Sequence, residues 1–114
     1  LSHPKAKILA HPTGRLLNER AGYDVDFEKL LKYCRENNKA LEINAYPNRL
    51  DLEGPIIRMA VNAGVKMTID TDSHQVSQME LMPYGVSQAR RGWAKKSDII
   101  NCAKFEDVVE WLKS

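Results

Sequence analysis

Residues 40–45, Ala-Leu-Glu-Ile-Asn-Ala, alternate apolar and polar side chains just before a Tyr46-Pro47 break. An extended strand sends successive side chains to opposite faces, so Leu41, Ile43 and Ala45 share one face and Glu42 and Asn44 the other. Burying either polar group without a partner would cost about 1–3 kcal/mol. Glu42 and Asn44 are therefore expected to hydrogen-bond a metal ligand, a water, a substrate or another part of the chain. Residues 65–72 repeat the pattern: Val65, Met67 and Ile69 oppose Lys66, Thr68, Asp70 and Asp72. Central strands of an open doubly wound sheet are apolar on both faces. These two are not. Their polar faces fit a barrel interior that opens, at the C-terminal strand ends, into a site.

Working outward, amphipathic helices alternate with these strands. Phe27, Leu30, Leu31 and Cys34 lie at i, i+3, i+4 and i+7, which predicts a helix over about 26–37. Asp24 or Asp26 suits its start and Asn37-Asn38 its end. A second helix is expected over 55–63, with Pro55 in its first turn, Gly64 just past its end and Ile57, Ala60 and Val61 inward. A short strand over 6–11 ends at His11-Pro12. Beyond the third strand the pattern predicts short helices over 75–82 and 87–94 and a last strand over 98–101. A final helix carries Phe105, Val108, Val109 and Leu112 on one face. Such alternation implies βαβ units and a parallel sheet, so the fold class is α/β. Three or four units are too few to close a barrel. The chain is expected to be part of one, with open strand edges that favour oligomerisation.

A length of 114 residues bounds the chain to one domain. No apolar run is long enough to span a membrane, and residues 1–10 lack the pattern of a signal peptide. Cys34 and Cys102 make neither a disulfide framework nor a CxxC site, and Cys34 falls on a helix's apolar stripe as a buried thiol. A cytoplasmic protein is the expectation. The net charge of +2 is too small to argue for nucleic acid. Arg90, Arg91, Lys95 and Lys96 cluster, and Arg15 and Arg49 fall in loops; a solvated surface accounts for such residues more often than a phosphate path does.

Two short segments could carry chemistry. Asp72-Ser73-His74 follows a strand, and residues two apart in extended chain point to the same side. A carboxylate and an imidazole there suit Mn²⁺, Zn²⁺ or Fe²⁺; taken alone, the pair is a weak signal, and a helix cap beside a surface histidine is the commoner reading. A calcium loop is excluded, because Gln75 and Leu81 stand where it needs Gly and Glu. In His11-Pro12-Thr13-Gly14-Arg15, His11 closes a strand, Pro12 and Gly14 turn the chain, and Arg15 has the planar fork that holds a phosphate. Asn48 and Arg49 follow Pro47 on the same rim. His3 is expected to be exposed and without a role. No P-loop, GxGxxG or Ser-His-Asp order is present.

Together, HPTGR at 11–15, LEINAYPNRLDL at 41–52, DTDSH at 70–74 and YGVSQARRGW at 84–93 closely resemble the PHP (polymerase and histidinol phosphatase) domain of bacterial and archaeal family X DNA polymerases. The resemblance runs through nearly the whole chain in order. It implies the C-terminal βα units of a distorted (β/α)7 barrel over residues 1–114, holding a cluster of divalent metals, Mn²⁺ first. It also implies a 3'–5' exonuclease or 3'-end-processing repair activity on single-stranded or gapped DNA. His11, Asp72 and His74 resemble metal ligands of that cluster, and thereby its catalytic residues. Glu42 and Asn44 stand behind the ligands, and Arg15, Asn48 and Arg49 are candidates for DNA phosphate. The family's opening His-x-His and its middle His and Glu ligands are absent, so the metal cluster is incomplete in this chain. The upstream half of the domain and a polymerase core are the implied partners. Two other readings stand beside it: a small-molecule phosphatase of the histidinol-phosphatase type, and a non-catalytic structural or DNA-binding piece.

Overall fold

Five consecutive buried residues, Ala40–Asn44, form the central strand, β2, in a computed structural model that describes residues 3, 5–15, 17, 25–73 and 76–114. β1 (Ile8–Leu9) and β3 (Met67–Asp70) flank it, both parallel, in the order β1-β2-β3. The register sets Leu9 beside Leu41, Leu41 beside Met67, and Asn44 beside Asp70. The α/β class is as the alternation predicts. Three described strands do not close a barrel.

The first two helices follow their sequence signals closely. α1 (Phe27–Asn37) is capped by Asp26, whose carboxylate accepts the Lys29 N–H at 3.2 Å, and ends at Asn38 in the left-handed conformation. Asp24 lies outside the described residues. α2 (Gly54–Ala63) carries Pro55 in its first turn and stops at Gly64, φ 74°. Leu31 and Cys34 of α1 and Ile57 and Ala60 of α2 join Leu41, Ile43, Met67 and Ile69 in one core. Each large side chain so buried contributes about 1.5–3 kcal/mol. Cys34 is a free, fully buried thiol whose pKa burial pushes up, which leaves it protonated and unreactive.

The next segment departs from expectation. α3 spans Met82–Arg91, beginning five residues before the predicted 87, and a 3-10 turn at Val76–Leu81 replaces the helix expected over 75–82. Pro83 marks the true start, as proline does in a first helical turn. Gly85 resembles a breaker in sequence, yet it lets α3 press onto the sheet: a Cβ there would lie 2.5 Å from Ile69 Cγ2 and 2.9 Å from Ala45 Cβ.

Residues 98–101 are not a strand. Two 3-10 turns, Lys96–Asp98 and Ile100–Cys102, leave Ile99 a single parallel bridge to Met67. The side chain of Asn101 takes over the ladder's work. Its Oδ1 accepts the Ile69 N–H at 3.0 Å and its Nδ2 donates to the Ile69 carbonyl at 2.6 Å. α4 (Phe105–Lys113) is amphipathic, but none of its residues is buried; Phe105 is 78% and Leu112 52% exposed. Its end is tied to the sheet by Lys7, whose Nζ reaches the carbonyls of Asn38 and Ser114 and lies 4.9 Å from the Trp111 ring centre. Among the described residues, no helix is long and apolar enough to cross a membrane.

Candidate functional site at the C-terminal strand ends

β1 stops at Leu9, so His11 stands in the turn beyond it, with φ 25°, and does not close the strand itself. Neighbouring side chains hold that turn. The His11 N–H donates to Glu42 Oε1 at 3.0 Å, and the same oxygen accepts Asn44 Nδ2 at 3.0 Å. Asn44 Oδ1 in turn accepts the Tyr46 N–H at 2.9 Å. A residue without a role in the sequence reading completes the arrangement. Asp51, fully buried, accepts the Thr13 N–H, the Thr13 hydroxyl and the Gly14 N–H through Oδ2, at 2.9, 2.8 and 3.0 Å. Its backbone also bridges Asn44. The partners required for the polar face of β2 therefore come from the chain itself.

Burial pushes the Glu42 carboxyl up to about 7, and the Asp70 carboxyl beside it adds to the rise. The His11 N–H and the Asn44 amide pull the other way. Asp70 is itself oriented by Thr68, whose hydroxyl donates to Oδ2 at 2.7 Å. A carboxyl poised near neutrality can both accept and return a proton, which is the requirement for general acid–base work at physiological pH.

The second cluster is cationic. Asp72, at φ 55°, lies two residues past β3, and Arg49 Nε stands 3.8 Å from its Oδ2. Asp and His tolerate positive φ better than bulky residues do, yet such positions still store about 1–3 kcal/mol and gather at functional sites. Arg49 Nη1 also donates to the Arg15 carbonyl at 3.4 Å. Arg15 is turned inward: Nε donates to the Arg49 carbonyl at 2.8 Å, Nη2 to the Leu50 carbonyl, and Nη1 pairs with Glu53 at 3.2 Å. Gln88 braces the same loop from α3, its amide donating to the carbonyls of Leu50 and Leu52. Asn48 is exposed on the rim. His3 is exposed, as expected, and accepts the Lys5 N–H.

The structure thus brings His11, Glu42 and Asn44 together and, separately, Arg15, Arg49 and Asp72; Asp70 belongs with the first group, paired with Asn44 in the register and beside Glu42. His74 lies outside the described residues. Among the described residues, no three His, Cys, Asp or Glu side chains gather closely enough to hold a metal ion. Donors of the right kind are present, but they do not form a complete ligand set. The sequence reading missed Asp51 and Gln88. Asp51 carried a signal, an acid between Leu50 and Leu52, of the same kind that marked Glu42.

No protein-family model matches the chain. Over 113 residues, 99% of its length, it is 41% identical to the DNA polymerase/3'-5' exonuclease PolX of Bacillus subtilis (strain 168), of which it spans 20%. Along almost its whole length, the chain is a homologue of the C-terminal region of a family X DNA polymerase/3'-5' exonuclease.

Proposed function

We propose that this chain carries one rim of a divalent-metal phosphoesterase site that trims DNA from its 3' end within a longer family X polymerase. The observation that carries the proposal is the 41% identity along 99% of the chain to a protein that is itself a polymerase and 3'-5' exonuclease. The parallel strands, with a buried polar face ending at His11 and Asp72, support the further reading that they belong to a PHP-type barrel. In that reading His11, Asp72 and His74 supply part of the ligand set, and the upstream half of the barrel supplies the rest. Mn²⁺ is the proposed metal, with Zn²⁺ and Fe²⁺ compatible with the same donors. When bound, such metals act as Lewis acids toward the phosphodiester and the attacking water.

The chain's own residues have separate tasks. Glu42 holds the His11 backbone and, titrating near neutrality, holds or moves a proton beside the site. Arg49 neutralises Asp72 and fixes its position. Exposed Asn48 is placed to meet a DNA phosphate, and such contacts orient the strand without reading its sequence. Arg15 serves the rim by clamping the loop that carries Arg49 and Leu50. One observation favours a second reading, a non-catalytic structural or DNA-binding piece: the described residues gather no three metal donors.

Release of the terminal nucleotide from a labelled single-stranded oligonucleotide, with Mn²⁺ present, separates the two. The chain alone should be inactive. Activity should appear when the upstream residues are supplied, and Asp72→Ala should abolish it. Activity that survives Asp72→Ala would reject the ligand role, and a preference for small phosphate esters over 3' ends would reject DNA as the substrate.

A further inference from the structure

A cleft of about 540 Å³ opens on the α2–α3 side of the Arg15 loop, lined by Arg15, Glu53, Gly54, Arg58, Arg91 and Trp93 among others. Arg15 and Glu53 neutralise one another at 3.2 Å. Arg58 and Arg91 pair with no carboxylate among the described residues, so the cleft keeps a net positive charge. The Arg58 guanidinium lies 3.9 Å from the centre of the Trp93 ring. Trp93 is nonetheless 64% exposed, which leaves its other face open to solvent.

The backbone around this pair is tightly specified. A Cβ on Gly92 would lie 2.3 Å from Ile57 Cγ2 and 2.9 Å from the Gly54 carbonyl oxygen, and one on Gly54 would lie 3.0 Å from Arg91 Cβ. Two glycines thus let the end of α3 and the start of α2 touch, which fixes Arg91 and Trp93 relative to Arg58. Trp93 itself is held at φ 62°. For a bulky residue this is a true outlier, storing about 1–3 kcal/mol. Covered by Arg58 on one side and held in that backbone conformation, the ring presents its other face outward.

We propose that this cleft binds single-stranded DNA, with a base stacked on the open face of Trp93 and the adjoining phosphates on Arg91 and Arg58. Aromatic platforms interleaved with cations are how single strands are held without sequence preference, since every base has a π-face and every link a phosphate. Arg15 contributes at once to the cleft and to the loop bearing Arg49, so a strand seated here continues toward the rim at Asp72. The inference rests on the proposed DNA reading of that site and adds the surface that receives the strand away from the scissile end.

The test uses the full 114-residue chain carrying Trp111→Phe, which leaves Trp93 as the sole tryptophan. A short oligothymidylate, titrated in EDTA, should quench its emission saturably. By fluorescence anisotropy with labelled oligothymidylate, Trp93→Ala in the parent chain should weaken binding about tenfold and Trp93→Phe should retain most of it. Arg91→Gln should lower the salt dependence, log K against log salt, by about 0.7, the value for one single-strand phosphate contact. Circular dichroism identifies any variant that unfolds, and Trp93→Phe with Arg91→Gln then carries the test. Unchanged affinity in the folded Ala and Gln variants would overturn the proposal. So would equal quenching by polyglutamate, which would mark the cleft as a dock for an acidic protein. Binding in EDTA requires no hydrolysis, so the two readings fail separately: Trp93-dependent binding, with no 3' release even once the upstream residues are supplied, would sink only the exonuclease. Release with Trp93-independent binding would sink only the cleft.

Discussion

Glu42 sits where burial and hydrogen bonding oppose each other. Desolvation and Asp70 favour its neutral form, the His11 N–H and the Asn44 amide its charged form, and desolvation wins, leaving the group at about 7 against an ordinary 4.5. The folded state therefore keeps this proton to higher pH than the unfolded chain. Its stabilising contribution is complete below about 4.5 and is lost as pH rises through about 7. The melting temperature should accordingly fall between about pH 5 and pH 8, and Glu42→Gln should flatten that slope. Thermal melts across the range, by circular dichroism, check it; an identical slope in the Gln variant would show that other groups set the pH response. At this scale the sequence was informative about need and silent about supply. Polar Glu42 and Asn44 in an otherwise apolar strand demanded partners. The Thr13–Asp51 contact joins residues 38 apart in sequence, and no local pattern carries that distance. Arg15 shows a different limit. Its rigid fork fits a phosphate and a pair of loop carbonyls equally well, so residue type alone does not choose between them.

Among the elements, α1 and α2 were legible because local signals decide them: an Asp cap, a first-turn proline, a left-handed terminal residue. α3 was not, because Gly85 weakens its helical pattern, and the reason for that glycine lies on another element. Substituting Gly85→Ala improves helix propensity by about 1 kcal/mol. It also drives a methyl into Ile69 and Ala45, an overpacking that costs about 1–3 kcal/mol. The net expectation is destabilisation, or at best neutrality, read as a lower urea midpoint; a clear gain in stability would show that α3 does not press this closely. The strand expected over 98–101, which the structure replaces with 3-10 turns, fails for the same kind of reason. Asn101 satisfies Ile69 from a side chain, and strand patterns register only backbone pairing.

For the molecule as a whole, the sheet gives the α/β class but leaves apolar surface uncovered. Ile8 on edge strand β1 is 40% exposed, and Phe105 and Leu112 on α4 are more so. Exposed strand edges and apolar faces promote association. Sedimentation velocity should show mass increasing with concentration, and Phe105→Ser with Leu112→Ser should reduce it. A chain that stays monomeric throughout would mean that these faces are tolerated in water. The Phe105, Val108, Val109 and Leu112 stripe was visible in the sequence; what should cover it was not.

The turn at 11–14, closed on itself by the Gly14 N–H to the His11 carbonyl, is also held from one other stretch of chain. Glu42 grips its first residue, and Asp51 grips the next two after Pro12. Each stretch meets polar groups of the other, so the two form a single heritable unit. A change tolerated in one alters which changes the other can accept, and across descendants of this chain the two should drift together or not at all.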